Sequence, residues 1–189
     1  MRLLDIEDAV YKRRGYKSPT SRATSIMMLL VVFVFVMLIA MFGYVPVSGT
    51  SMLPTIKSSG DAVIIFKYAT IERGDIVIVD NHDLSLHHSD KLLIKRVIAI
   101  EGDHISFKPN SDGYLVLKIN GVEYKESYIK KVLHVNEVDN RSKRVETGIT
   151  VPKGHVYVMG DNRLTSHDSR NFGCISIDRL IGEAVLILR

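Results

Sequence analysis

The sequence predicts a mainly β domain, antiparallel and either barrel-like or strongly coiled, preceded by one transmembrane helix. Three observations carry that expectation. Residues 25–45, SIMMLLVVFVFVMLIAMFGYV, hold no charged side chain. Beyond them come short runs rich in β-branched residues, separated by turn signals, with no long stretch of helical period. Between two of those runs stands Asn120-Gly121, a strong signal for a two-residue hairpin loop.

At about 1.5 Å rise per residue, about 20 apolar residues cross the roughly 30 Å hydrocarbon core, so the span is expected over 25–45. A cleaved signal peptide has an apolar region of only about 7–15 residues. The longer run here reads as an uncleaved anchor. The formal net charge is +4, and residues 1–24 hold six basic side chains (Arg2, Lys12, Arg13, Arg14, Lys17, Arg22) against three acids (Asp5, Glu7, Asp8). The excess charge therefore belongs to a tail and not to a nucleic-acid-binding face. Basic residues ahead of the span place the N-terminus in the cytoplasm and residues 46–189 outside, as a single-pass protein of the cell membrane whose first partner is the lipid bilayer.

In that outer domain the candidate strands are 62–66, 74–79, 93–100, the run before Asn120-Gly121, 155–160 and the C-terminal AVLILR. Residues 103–150 are more polar, with Lys130-Lys131 and the charged run 139–143, and read as a small inserted subdomain. Cys174 is alone, so no internal disulfide forms. His87 and His88 fall in a polar stretch that reads as a solvated loop, and no metal or cofactor is expected.

Three islands carry candidate chemistry. Ser51, in GTSMLPTI (49–56), follows Gly-Thr and precedes Met-Leu-Pro, where a tight turn would present its hydroxyl; taken alone it is an ordinary turn serine. Lys95 and Arg96 interrupt an apolar strand, so one should point inward or toward a partner. A lysine facing an apolar interior loses solvation, which favours the neutral amine and makes a usable base. An edge-strand lysine that only resists aggregation is the plainer alternative. The third island, MGDNRLTSHDSR (159–170), gathers Asp161, Asn162, Arg163, Ser166, Asp168, Ser169 and Arg170, a density that suits a rigid hydrogen-bond network. No GxSxG elbow is present, so Ser51 with Lys95 is the economical nucleophile–base pair.

With these motifs in order, the chain resembles the bacterial type I signal peptidases, membrane-anchored serine proteases that remove signal peptides from exported preproteins. The resemblance rests on SM-x-PT at 51–55, GDIV at 74–77, KRV…GD at 95–103 and GDNR…S-x-DSR at 160–170. It implies Ser51 as nucleophile and Lys95 as general base. Ser166 would orient the Lys95 amine, with Asp161, Asp168 and Arg170 holding the framework. The Ser51 N–H would form part of an oxyanion hole. Some family members carry a hydroxyl side chain at the position of Gly49, which here has none. Val47, Met52, Ile56, Leu93 and Ile94 are candidates for shallow pockets accepting the small residues before the cleavage site. A nucleophile about six residues past the span would sit at the depth where signal peptides emerge. An organellar inner-membrane peptidase and a self-cleaving repressor protease share the Ser–Lys logic. A catalytically silent paralogue acting as an assembly factor for surface proteins is the non-enzymatic alternative, which loss of Ser51 or Lys95 would favour.

Overall fold

A computed structural model of the chain describes residues 19–57, 60–82, 91–137 and 148–189. The tail up to residue 18, the His87-His88 stretch and the run 139–143 lie outside the described residues. The chain forms two units, Met1–Met41 and Phe42–Arg189.

The first unit contains helix α1 (Pro19–Met41). Proline is well suited to the first helical position, because the N–H it lacks has no intrahelical acceptor there. From Ile26 to Ile39 the large apolar side chains are between 48% and 69% exposed. From Ile26 to Met41 the helix carries no polar side chain to turn toward water. The 20 residues Arg22–Met41 are long and apolar enough to cross a membrane.

The helix does not run to residue 45, as the apolar stretch suggests. Phe42–Pro46 form strand β1, which pairs antiparallel with β2 (Ala62–Phe66) from Phe42↔Phe66 to Pro46↔Ala62. Gly43 and Pro46 are the poorest helix formers in that stretch. Gly43 also lets the Ile65 side chain lie against the strand, since a Cβ there would come 2.9 Å from Ile65 Cγ1.

The described residues of the second unit form two antiparallel sheets. The larger has the order β1–β2–β11–β3–β4–β9–β10, with β3 (Ile76–Asp80), β4 (Leu92–Ile100), β9 (His155–Met159), β10 (Ile175–Ser176) and β11 (Leu180–Leu188). Register shifts at Leu180/Gly182, Ala184/Leu186 and Val97/Ala99 mark bulges, which raise local twist and curl the sheet. The smaller sheet has the order β7–β6–β5–β8, with β5 (His104–Pro109), β6 (Leu115–Ile119), β7 (Val122–Glu123) and β8 (Ile149–Thr150). Asn120 (φ 53°) and Gly121 (φ 83°) make the two-residue loop between β6 and β7, both in the left-handed region that this hairpin turn requires.

Among the described residues, three buried clusters hold the fold. Met52, Ile56, Val63, Ile65 and Ile78 seat the loop after β1. Val77, Val79, Val97, Val156, Val158 and Ile175 fill one side of the β3–β4–β9 centre. Ile98, Ile105, Leu117, Tyr157 and Met159 join the two sheets. The Asp103 carboxylate reinforces that junction, accepting from Arg73 Nε (2.6 Å), Asn120 Nδ2 (2.9 Å) and the Ile100 N–H (3.0 Å).

Candidate active site

Ser51 lies in the excursion between β1 and β2. Asp61 ties the ends of that loop: its carbonyl accepts from Val47 N (3.1 Å) and its carboxylate from Lys57 N (2.8 Å). Inside, Leu53 N donates to Thr50 O and Ile56 N to Met52 O, closing a compact turn. Met52 (2% exposed) and Ile56 (0%) drive the turn into the core, leaving Ser51 half-buried at its surface.

Lys95 comes from the middle of β4, opposite Val77 of β3. Strand neighbours on both sides bury it to 3% exposed, and its Nζ donates to Ser51 Oγ at 2.9 Å. Burial disfavours an ammonium more than a neutral amine, so the position suits a base. Arg96, the next residue, is also buried. Its Nε and terminal nitrogen reach the Asp161 carboxylate at 2.8 and 2.7 Å, and its other nitrogen reaches Gly74 O at 2.6 Å. Thr55 Oγ1 donates to the same carboxylate at 2.5 Å, so Asp161 joins the Ser51 turn to β4.

β9 ends opposite Arg96 at Met159 and releases the loop that begins at Gly160. This loop clasps the Ser51 turn through its backbone: Asn162 N donates to Ser51 O (2.9 Å) and Asn162 Nδ2 to Thr50 O (3.1 Å). Ser166 N in turn donates to Asn162 O (3.0 Å). Asp168 caps the short helix α2 (Ser169–Phe172), accepting from the Arg170 N–H, while Arg170 Nε and a terminal nitrogen each reach it at 2.8 Å. Its other oxygen accepts from Gly160 N (3.0 Å). Complete burial raises the carboxyl's pKa, but the Arg170 charge and these hydrogen bonds outweigh it and hold the group below its ordinary value.

The structure thus brings together Ser51, Lys95, Asp161, Asp168 and Arg170. Ser166 stands differently from the expectation that it bonds Lys95. Its Oγ is buried, near enough to Asp168 to help hold that carboxylate, but reaches hydrogen-bonding geometry with no group among the described residues. The hydroxyl is pressed against Gly160 instead. Of the pocket candidates, Val47, Met52, Leu93 and Ile94 line a cleft of about 360 Å³ together with Ser51, Lys95, Thr165 and His167. Ile56 does not. It is fully buried beneath the loop, because its place one helical turn after Met52 points it into the core.

Thr55, Arg96, Gly160, Asn162 and Arg163 take part in the framework beyond the expected set. Arg96 was visible as a charge interrupting an apolar strand, and Asn162 and Arg163 as members of the polar island. Glu126 and Tyr128, which meet Arg163 and Arg96, carry no signal in the sequence.

The family model described as "Signal peptidase, peptidase S26" matches residues 20–189. The chain is 34% identical over 179 residues to signal peptidase I of Bacillus caldolyticus, covering 91% of this chain and 89% of that one. It is 35% identical over 147 residues to signal peptidase I T of Bacillus subtilis strain 168, covering 75% and 70%. It is 30% identical over 173 residues to signal peptidase IB of Staphylococcus aureus strain Mu50, covering 81% and 82%. Among solved structures, a signal peptidase I from Enterococcus faecalis V583 matches with a TM-score of 0.45 and 23% identity, over 62% of this chain and 98% of that one.

Proposed function

The chain belongs to the signal peptidase family, peptidase S26, and from that premise we propose that it is a membrane-bound serine endopeptidase cleaving signal peptides from exported preproteins through Ser51 and Lys95. The observation that carries the reading is the 2.9 Å hydrogen bond between a buried lysine amine and a half-buried serine hydroxyl at the edge of an aliphatic cleft.

The chemistry is acyl transfer. Neutral Lys95 accepts the Ser51 proton as Oγ attacks the scissile carbonyl carbon, giving a tetrahedral oxyanion. Lys95 then returns that proton to the leaving amine, which departs as the new N-terminus of the mature protein. In deacylation the lysine takes a proton from water, whose oxygen attacks the acyl carbon, and delivers it to Ser51 Oγ, restoring the site. The Ser51 N–H is one oxyanion donor. Gly49 (φ 87°) adopts a left-handed backbone that a side chain would strain, so the hydroxyls of Ser48 and Thr50 on the cleft wall are the candidates for the second.

Asp161, Asp168 and Arg170 hold the two elements that carry the dyad, with Ser166 filling the space beneath them. Val47, Met52, Leu93 and Ile94 supply the apolar wall that suits small residues ahead of the scissile bond. The exposed, uncharged run of α1 from Ala23 to Met41 supports anchoring in a lipid bilayer, and the basic tail supports a cytoplasmic N-terminus with the catalytic unit outside. The test is to incubate the detergent-solubilised full-length chain with a preprotein and read the product's new N-terminus by mass spectrometry. Cleavage after a small-x-small sequence is expected. An intact preprotein would contradict the reading and favour the silent assembly factor.

A further inference from the structure

A loop from the smaller sheet reaches the framework around Ser51 and Lys95 at two points. Residues 124–131 leave β7, with Tyr124 N held by Leu117 O (2.9 Å), and pack Glu126 against the loop after β9 and Tyr128 against β4. The Glu126 carboxylate takes both terminal nitrogens of Arg163, one at 2.7 Å, with the side chains only 9% and 3% exposed. The Tyr128 ring lies under the Arg96 guanidinium, 4.1 Å from its carbon to the ring centroid, and the Tyr128 hydroxyl donates to Glu126 at 2.9 Å.

Each contact ends one step from the dyad. Arg163 Nε donates to Gly160 O (3.1 Å), at the residue against which Ser51 O and Ser166 are packed. Arg96 follows Lys95 on β4 and shares Asp161 with the Ser51 turn. A buried ion pair is a poor source of net stability, because desolvation of both charges offsets their attraction. Its strength is geometric: a bidentate guanidinium–carboxylate pair fixes the plane and position of both partners. The phenol of Tyr128 is pushed upward by burial and by the Glu126 charge, so it stays a neutral donor to that carboxylate.

We propose that residues 124–131 form a positioning strap for the dyad, in which Glu126 sets the loop at Gly160 through Arg163 and Tyr128 sets β4 at Lys95 through Arg96. Neither side chain touches the reacting atoms; both act through an arginine. The inference rests on the peptidase reading above.

The test compares Glu126→Gln, Tyr128→Leu and Tyr128→Phe in the full-length chain, well below each melting temperature, by preprotein cleavage and by amide hydrogen exchange. Glu126→Gln and Tyr128→Leu are expected to lower kcat by about ten- to a hundredfold, the scale of a small misplacement of reacting groups, with KM little changed. Exchange at the Asn162 amide, which bonds Ser51 O, is expected to speed up in both. Tyr128→Phe keeps the ring face under Arg96 and is expected to retain most of kcat. Wild-type kcat in Glu126→Gln and Tyr128→Leu, with only a lowered melting temperature, would overturn the proposal and leave the loop a structural brace. If the unsubstituted chain cleaves nothing, the peptidase reading fails, and Asn162 exchange still decides: faster exchange in both variants supports the strap and unchanged exchange refutes it.

Discussion

A Cβ on Gly160 would meet Ser51 O at 2.5 Å and Ser166 Cβ at 2.6 Å, besides pressing on the Ser166 hydroxyl. Gly160→Ala must therefore push the Ser51 turn and the loop after β9 apart. Steady-state cleavage should show kcat down by about a hundredfold for a displacement near 1 Å. Asp168 yields a prediction about acid. Its folded pKa is below the ordinary 3.8, so its stabilising contribution is complete above about pH 3.8 and is lost as pH falls through the depressed value. Melting temperatures measured downward from pH 5 should fall less steeply in Asp168→Asn than in the unsubstituted chain. At neutral pH that variant should be destabilised by about 3–5 kcal/mol, because Arg170 keeps a buried charge with its carboxylate removed. The proposed role of Lys95 gives a dependence in the same direction: if the neutral amine is the base, kcat/KM should rise from weakly acidic toward alkaline pH, and a flat profile would count against it. Lys95 was legible as a charge interrupting an apolar strand and the Asp161–Arg170 island as a dense polar run, whereas Ser51 alone reads as a turn serine and stands out only beside them. Ile56 lies beneath the cleft because spacing alone does not tell which way a side chain in an irregular turn faces, and Ser166, which the resemblance sets against Lys95, packs beside Gly160 and Asp168.

The stop of α1 at Met41 makes the end of the apolar run part of the β sheet. A chain shortened to begin at Phe42 keeps β1, whereas one shortened to begin at Val47 loses five ladder residues and uncovers β2. The shorter chain should unfold at lower denaturant concentration, measured by circular dichroism; equal midpoints would show that β1 contributes nothing. This boundary was hidden because Phe42, Tyr44 and Val45 are as apolar as the helix before them, and one glycine does not end a helical reading. The β6–β7 hairpin was plain for the contrary reason, since Asn120-Gly121 has few other uses after an alternating strand. β5 escaped notice because its alternation is carried by only two apolar residues, Ile105 and Phe107, inside a polar segment. Its pairing with β8 across residues 110–148 is a long-range contact that no local pattern announces.

At the scale of the described residues, one unit contains a largely apolar helix with its side chains exposed and the other is a two-sheet domain with its own buried clusters. The division was legible from charge and periodicity, since uncharged residues and alternating ones call for different surroundings. The association of Lys95 with Ser51 was expected only from the motifs taken together, because no single motif shows how β3, β4 and β9 pair. It can be tested on the entire molecule. Full-length protein reconstituted in lipid vesicles is given a membrane-inserted preprotein, alongside Ser51→Ala and Lys95→Ala forms whose folding is verified by circular dichroism. The account predicts release of the mature protein by the unsubstituted chain and none by either variant. Undiminished release by a folded Ser51→Ala or Lys95→Ala chain would contradict it.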